Sequence, residues 1–291
     1  MSKQTSRIRL LAVDIDGTLV NSNHELSEAT RSAILRAKRA GIHIVLATGR
    51  RYSRVLPLVE PLELNVPLIT ASGALIKRAC DHQTLFRAAF RPGSLESCLR
   101  SVTEAGFSAV LYGDTYDQGF DFYHCPTAPP GPLLAEFFAK NLGFGRDWQE
   151  LASAPPEGIF AGFAMGTRDE MSALADRLQT ELPTDLTVHV LRSPRYLGYM
   201  CEIAPGGVSK WTGVTQLAES WNISADEICA VGDDVNDIPM LEAAGLGVAM
   251  GNALPEVQAA ADRIAASNDD DGLVQVVEWI LGENRTSAAN A

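Results

Sequence analysis

Residues 10–19 read LLAVDIDGTL. A short apolar run stops at two aspartates one residue apart, and Gly17 follows at once. Extended back to Ile8, the run has the pattern of a strand buried on both faces of a sheet. Asp14 and Asp16 then stand at the strand's carboxyl end, the edge where open parallel sheets bind ligands. A plain turn does not need two acids at the end of a buried strand, so the rest of the chain is read with this edge in view.

Outward from that stretch, SEATRSAILRAKRAG (27–41) is a helix, with Ala29, Ala33, Ile34 and Ala37 on one face, Ser27 as N-cap and Gly41 as stop. IHIVLAT (42–48) is a second buried strand, RRYSRVLPLVEPLE (50–63) a short helix, and VPLITAS (66–72) a third strand. Strands alternating with helices require right-handed crossovers and a parallel sheet.

The middle of the chain changes character. RAAFRPGSLESCLRSVTEAG holds a helix, FSAVLYG and GFDFYHC are strands, PTAPPGP (126–132) is a proline-rich loop, and LLAEFFAKNLG is a helix. GIFAGFAMG, RDEMSALADRLQTEL and LTVHVLRS follow as strand, helix and strand. This aromatic-bearing block, 86–192, reads as a small separate α/β domain. The first style then returns: SKWTGVTQLAESWN (209–222) is a helix, EICAVGD (227–233) a buried strand ending in an acid, DIPMLEAAG a helix, LGVAMGNA a strand and turn, and PEVQAAAD a helix with Pro255 at its first position. DGLVQVVEWILG closes the fold, and ENRTSAANA is expected to fray. The simplest architecture is one core, 1–85 with 193–291, interrupted by an inserted cap, 86–192.

At 291 residues the chain is long for a single hydrophobic core. Its 46% hydrophobic and 21% charged residues are those of an ordinary water-soluble protein. The formal net charge of −12 argues against general binding of nucleic acid or an anionic membrane, because nothing supplies a phosphate-neutralising patch. No stretch approaches the roughly 18 apolar residues of a membrane span. The five cysteines are scattered, odd in number and without a CxxC pair, as in a reducing cytoplasm.

Four strand ends carry unusual residues: Asp14 and Asp16 on the first, Thr48 and Arg50 on the second, Thr70 and Ser72 on the third, and Asp233, Asp234, Asn236 and Asp237 after EICAVG. All can meet only at one sheet edge. Two carboxylates ~4 Å apart repel by roughly 4 kcal/mol at an effective dielectric of 20, so such a cluster needs protons or a cation. Oxygen ligands without a neighbouring histidine or cysteine favour a hard ion such as Mg²⁺ over zinc. The rival reading of DIDGTLVNSNHE as a helix-flanked calcium loop fails at Leu19, where that loop needs glycine, and at the strand in front of it.

DIDGTL, TGR, a helix-borne Lys210 and GDDVND resemble, in order, the four signatures of the haloacid dehalogenase superfamily. AAGLGVAMGNALPEVQAAAD is similar to the C-terminal stretch of its Cof-like, type IIB members. The resemblance implies an α/β fold, a Rossmann-like parallel-sheet core with an inserted type IIB cap, and a Mg²⁺-dependent phosphatase acting on a small phosphorylated metabolite. It also implies roles. Asp14 is the nucleophile, and Asp16 the proton carrier. Asp14, the backbone carbonyl of Asp16, and Asp233 hold the metal, with Asp237 in support. Thr48 and Lys210 hold phosphoryl oxygens, and Asn236 contacts phosphate or orients a ligand. Two residues depart from the family pattern: Ser72 stands where asparagine is usual, and Trp211 where glycine is usual.

Taken alone, Thr48 reads as a turn hydroxyl, Lys210 as a surface lysine, Arg50 as structural, and SNDDDG (267–272) as a solvated turn and helix cap. Only the ordered set promotes the first two. Other outcomes of the same core are a phosphomutase and a silent sugar-phosphate sensor. The remaining expectations are a cytoplasmic monomer or homodimer, without nucleic-acid or membrane partners, whose specificity lies in the cap, around YGDTYDQGFDFYHC and RSPRYLGYM.

Overall fold

The computed structural model describes residues 7–62, 66–128, 130–192 and 196–289. In chain order the elements are β1 (Leu10–Val13), α1 (Glu28–Arg39), β2 (His43–Ala47), α2 (Tyr52–Val59), β3 (Pro67–Thr70), β4 (Leu75–Arg78), β5 (Thr84–Arg87), α3 (Ser94–Glu104), β6 (Val110–Gly113), β7 (Phe122–His124), α4 (Pro132–Lys140), β8 (Gly145–Asp147), β9 (Ile159–Gly166), α5 (Arg168–Glu181), β10 (Leu186–Arg192), β11 (Tyr199–Pro205), α6 (Lys210–Ser220), β12 (Ile228–Gly232), α7 (Ile238–Ala243), β13 (Leu246–Ala249), α8 (Pro255–Ala260), β14 (Arg263–Ile264) and α9 (Gly272–Ala289). They form two units, Met1–Leu85 with Ser209–Ala291, and Phe86–Val208.

The first unit is built on an eight-stranded sheet in the order β14-β13-β12-β1-β2-β3-β4-β5. From β14 to β3 every pairing is parallel, and β4 pairs antiparallel to β3. Every residue of β1, β12 and β13 is buried, as strands covered on both faces must be. The helices carry local start signals. Ser27 Oγ accepts the Thr30 amide before α1, and Ser209 with Thr212 forms a reciprocal capping box before α6. Chain order reverses beside β1, between β12 and β2, which is where such sheets open a crevice for ligands.

The second unit has a six-stranded sheet in the order β10-β11-β9-β6-β7-β8. Helices α3 and α5 bury Cys98, Val102, Met171, Leu174 and Leu178 against Ala164, Cys201 and Ile203 of the sheet. α5 opens with a capping box between Thr167 and Glu170.

The structure corrects the sequence reading in three places. The insertion runs past 192, because β11 pairs antiparallel with both β10 and β9 and so belongs to the second sheet. Residues 196–208 are therefore not part of the core unit; Ser193, Pro194 and Arg195 lie outside the described residues. The tail does not fray at residue 283: α9 continues to Ala289, and Asn284 brackets Ile8, accepting its N–H and donating to its carbonyl, both at 2.9 Å. The short strands β4, β5, β8 and β14 have no counterpart in the sequence reading. Among the described residues, no helix is long and apolar enough to cross a membrane.

Candidate active site

β1 lies between β2 and β12, with Val13 opposite Leu46 on one side and Val231 on the other. Asp14 is the next residue, and its N–H still donates to Val231 O at 3.0 Å. Asp233 lies just past the end of the neighbouring strand, and α6 brings Lys210 to the same edge. Lys210 Nζ donates to Asp14 Oδ1 at 2.6 Å and to Asp237 Oδ1 at 2.7 Å. All three are buried, at 2, 4 and 0% exposure for Lys210, Asp14 and Asp237. Asp237 Oδ2 accepts the N–H groups of Asp233 at 3.0 Å and Asp234 at 3.1 Å, which fixes the tight turn after β12. Asp233 Oδ1 accepts the Thr18 hydroxyl at 3.0 Å.

Two glycines make this crowding possible. Gly17 has φ +76°, and a Cβ there would lie 2.2 Å from Asp233 Oδ2. A Cβ on Gly232 would lie 2.4 Å from the Asp237 carboxyl carbon. The main chain therefore approaches the acids where no side chain fits.

The electrostatics follow from the packing. Burial pushes the Asp14 carboxyl well above the usual carboxylate range; Lys210 opposes this, and Asp237 and Asp233 reinforce it. Asp233 is pushed up to about 7, first by burial and then by Asp237, against Lys210 and the Thr18 hydrogen bond. Burial works against the Lys210 charge, but Asp14 and Asp237 outweigh it and hold the ammonium above its ordinary value. Asp14, Asp233 and Asp237 each offer an oxygen within 4.8 Å of the others. With one ammonium among three carboxylates, full ionisation leaves two negative charges in surplus. A divalent, oxygen-preferring cation fits that donor set and that surplus.

The other motif residues stand around this cluster. Thr48 is buried at the end of β2, and its Oγ1 accepts the Arg50 N–H at 3.1 Å. Asn236 is buried in the turn after β12, with its Oδ1 lacking a hydrogen-bond partner among the described residues. The Asp16 side chain is outside the three-carboxylate group. It meets the Arg50 guanidinium through both oxygens, and His24 Nδ1 lies 3.5 Å from its Oδ1. Ser72 occupies a left-handed turn at φ +53°, and its N–H donates to Thr48 O at 3.0 Å, tying the ends of β2 and β3. Trp211 is half-buried in the first turn of α6.

Sequence reasoning missed several supports. Thr18 carries no signal apart from following DIDG. Asn252 Nδ2 donates to Gly17 O at 2.9 Å. The SNDDDG segment is more than a solvated turn: Asp269 accepts the Ser22 N–H at 2.8 Å and hydroxyl at 2.7 Å, and Asp271 accepts the Ser27 hydroxyl at 2.6 Å. It holds the loop that follows the two aspartates.

The profile of the haloacid dehalogenase-like hydrolases matches residues 11–277, which spans every element of this site. The chain belongs to that family. Phosphatase YwpJ of Bacillus subtilis is 32% identical over 94% of this chain and 100% of its own. The 5-amino-6-(5-phospho-D-ribitylamino)uracil phosphatase YitU of the same organism is 26% identical over 92% of this chain and 96% of its own. A solved subclass IIB sugar phosphatase superposes with TM-score 0.74 at 23% identity, covering 93% of this chain and 97% of the other. The fold is thus the α/β core with inserted cap of the Cof-like, type IIB members, and the chain is a phosphatase of this family.

Proposed function

We propose that this chain is a Mg²⁺-dependent phosphatase that hydrolyses a small phosphorylated metabolite, a sugar phosphate or a phosphorylated cofactor, through an aspartyl phosphate on Asp14. One observation carries the reading: the buried ion cluster of Asp14, Lys210 and Asp237, with Asp233 beside it, at the open edge of the sheet. Whole-length similarity to phosphatases of a sugar phosphate and of a phosphorylated pyrimidine supports the substrate class.

In this reading an Asp14 oxygen attacks phosphorus. The bond to the ester oxygen breaks, its electron pair leaves with the alkoxide, and Asp16 supplies the proton that makes it an alcohol. Water then attacks the phosphorus of the aspartyl phosphate and gives a proton back to Asp16. The bond between Asp14 and phosphorus breaks, phosphate departs, and both aspartates return to their starting forms. The carboxylate nucleophile divides one difficult displacement into two. Lys210 brings positive charge to the phosphoryl oxygens as two anions meet, and Thr48 and Asn236 complete their hydrogen bonding. Asp14, Asp233 and the Asp16 backbone carbonyl would hold Mg²⁺, with Asp237 in support; when bound it would balance charge on the transferring group. The five scattered cysteines without a CxxC pair support a place in the cytoplasm, and the net charge of −12 supports a monomer or homodimer without nucleic-acid or membrane partners.

Asp14→Asn tests the reading. It is expected to lower kcat on phosphate esters by ~10³-fold or more. Turnover equal to wild type, or full wild-type turnover in EDTA, overturns the proposed mechanism. A panel of phosphorylated metabolites then identifies the substrate.

A further inference from the structure

Arg50 reaches Asp16 with two prongs of its guanidinium: Nε donates to Oδ2 at 2.5 Å and Nη2 donates to Oδ1. The Arg50 side chain is only 9% exposed, whereas that of Asp16 is 27% exposed. The arginine starts from a fixed backbone. Its N–H donates to Thr48 Oγ1, and its carbonyl accepts the Ala71 N–H at 3.0 Å. The third guanidinium nitrogen, Nη1, is buried and has no hydrogen-bond partner among the described residues. An arginine serving as a staple normally has its buried donors satisfied. This one commits two nitrogens to one carboxylate and leaves the third unused.

Asp16 needs such a support. It sits past the end of β1 in a turn, joined to Val20 by a single isolated bridge, and Gly17 follows in the left-handed region. A strand would hold its side chain between neighbours, and this turn does not. A planar two-pronged donor fixes both the direction and the roll of a carboxylate, which a single charge does not.

We propose that Arg50 is a positioning residue: it aligns the Asp16 carboxyl for proton transfer to the leaving oxygen and from the attacking water. This rests on the reading of Asp16 as proton carrier given above. A purely structural arginine predicts something different, because loss of a staple would impair all substrates alike.

The experiment compares kcat/KM for glycerol 2-phosphate, whose alkoxide needs a proton to leave, with that for 4-nitrophenyl phosphate, whose phenolate leaves without one. Wild type, D16N, R50Q, R50K and the D16N/R50Q double variant are measured at saturating Mg²⁺. D16N is expected to lose roughly 10²- to 10⁴-fold on the alkyl ester and far less on the aryl ester. R50Q is expected to lose at least ~10-fold on the alkyl ester and to stay within about twofold on the aryl ester, a retained activity that also shows correct folding. R50K keeps the charge but not the fork, so it falls between wild type and R50Q. In the D16N background, R50Q adds no further selective loss. If R50Q loses both substrates in equal proportion, or neither, Arg50 does not position Asp16. If R50Q does not fold, R50K decides by the same ratio. If D16N itself shows no leaving-group dependence, the proton-carrier reading fails and this inference falls with it. A selective effect in D16N but in neither Arg50 variant overturns this inference alone.

Discussion

The two units bury different kinds of side chain. At the open edge of the core sheet, Asp14, Lys210 and Asp237 are almost wholly enclosed. In the cap, the interior around the sheet holds Phe122, Phe137 and Phe163, and the thiols Cys98 and Cys201, each pushed up to about 12 chiefly by burial. Several of the cap's ion pairs lie outside: Arg177 reaches Glu104 at 2.6 Å and Glu181 at 2.8 Å, and Lys140 reaches Glu136 at 2.7 Å. Enclosing charge costs several kcal/mol per ion before pairing repays it, whereas an apolar interior is stabilising as it is built. Lys77 of β4 and Asp121 of the second unit are also buried, but only the edge beside β1 gathers three enclosed charges among the described residues, as an edge used for chemistry does.

The contrast can be broken most forcefully at Lys210. Lys210→Met leaves Asp14 and Asp237 enclosed without their cation. The metal-free variant is expected to lose about 3–5 kcal/mol of stability in urea unfolding, and to lose turnover as well. A loss below ~1 kcal/mol would mean that the cluster is less enclosed than its burial indicates.

A smaller effect is expected at Asp233 and depends on pH. Its folded value of about 7 lies above its ordinary value of 3.8. Its contribution to stability is therefore complete below the ordinary value and lost as pH rises through the folded one. Asp233→Asn cannot ionise, so in EDTA the variant should gain on wild type between pH 4 and 7. The gap should then level off at on the order of 1–2 kcal/mol, after discounting for solvent screening. Thermal melts across that range check it, and a gap that narrows with rising pH has the wrong sign. The smallest effect belongs to the surface of the second unit: Arg177→Ala should leave the urea-unfolding midpoint and kcat close to wild type, because exposed ion pairs contribute little.

These differences also decide which elements are legible in the sequence. The core strands β1 and β12 are unbroken apolar runs, β2 is one after His43, and α1 and α6 carry side-chain caps, so local pattern suffices. β11 was missed because Glu202 and a preceding stretch with proline and glycine disguise it; only its partners β9 and β10 make it a strand. The helical tail escapes local pattern for the same reason, because Asn284 finds its partner Ile8 at the opposite end of the chain. At the site, residue types in order mark Asp14, Lys210, Asp233 and Asp237 as candidates. Their supports are invisible to that method: Thr18, Arg50 and Asp269 gain their meaning from strand register and loop contact, not from spacing in the chain.

The place of β1 between β2 and β12 also bears on how the chain is made. Asp14 precedes the lysine that balances it by 196 residues, an interval of roughly 10–40 s at typical rates of synthesis. Throughout that time β1 can pair with β2, but its other edge has no strand beside it. The growing chain thus carries an apolar, half-finished sheet with its acids uncompensated, the kind of edge that invites aggregation and chaperone binding. The insertion that divides the core sets the length of that wait.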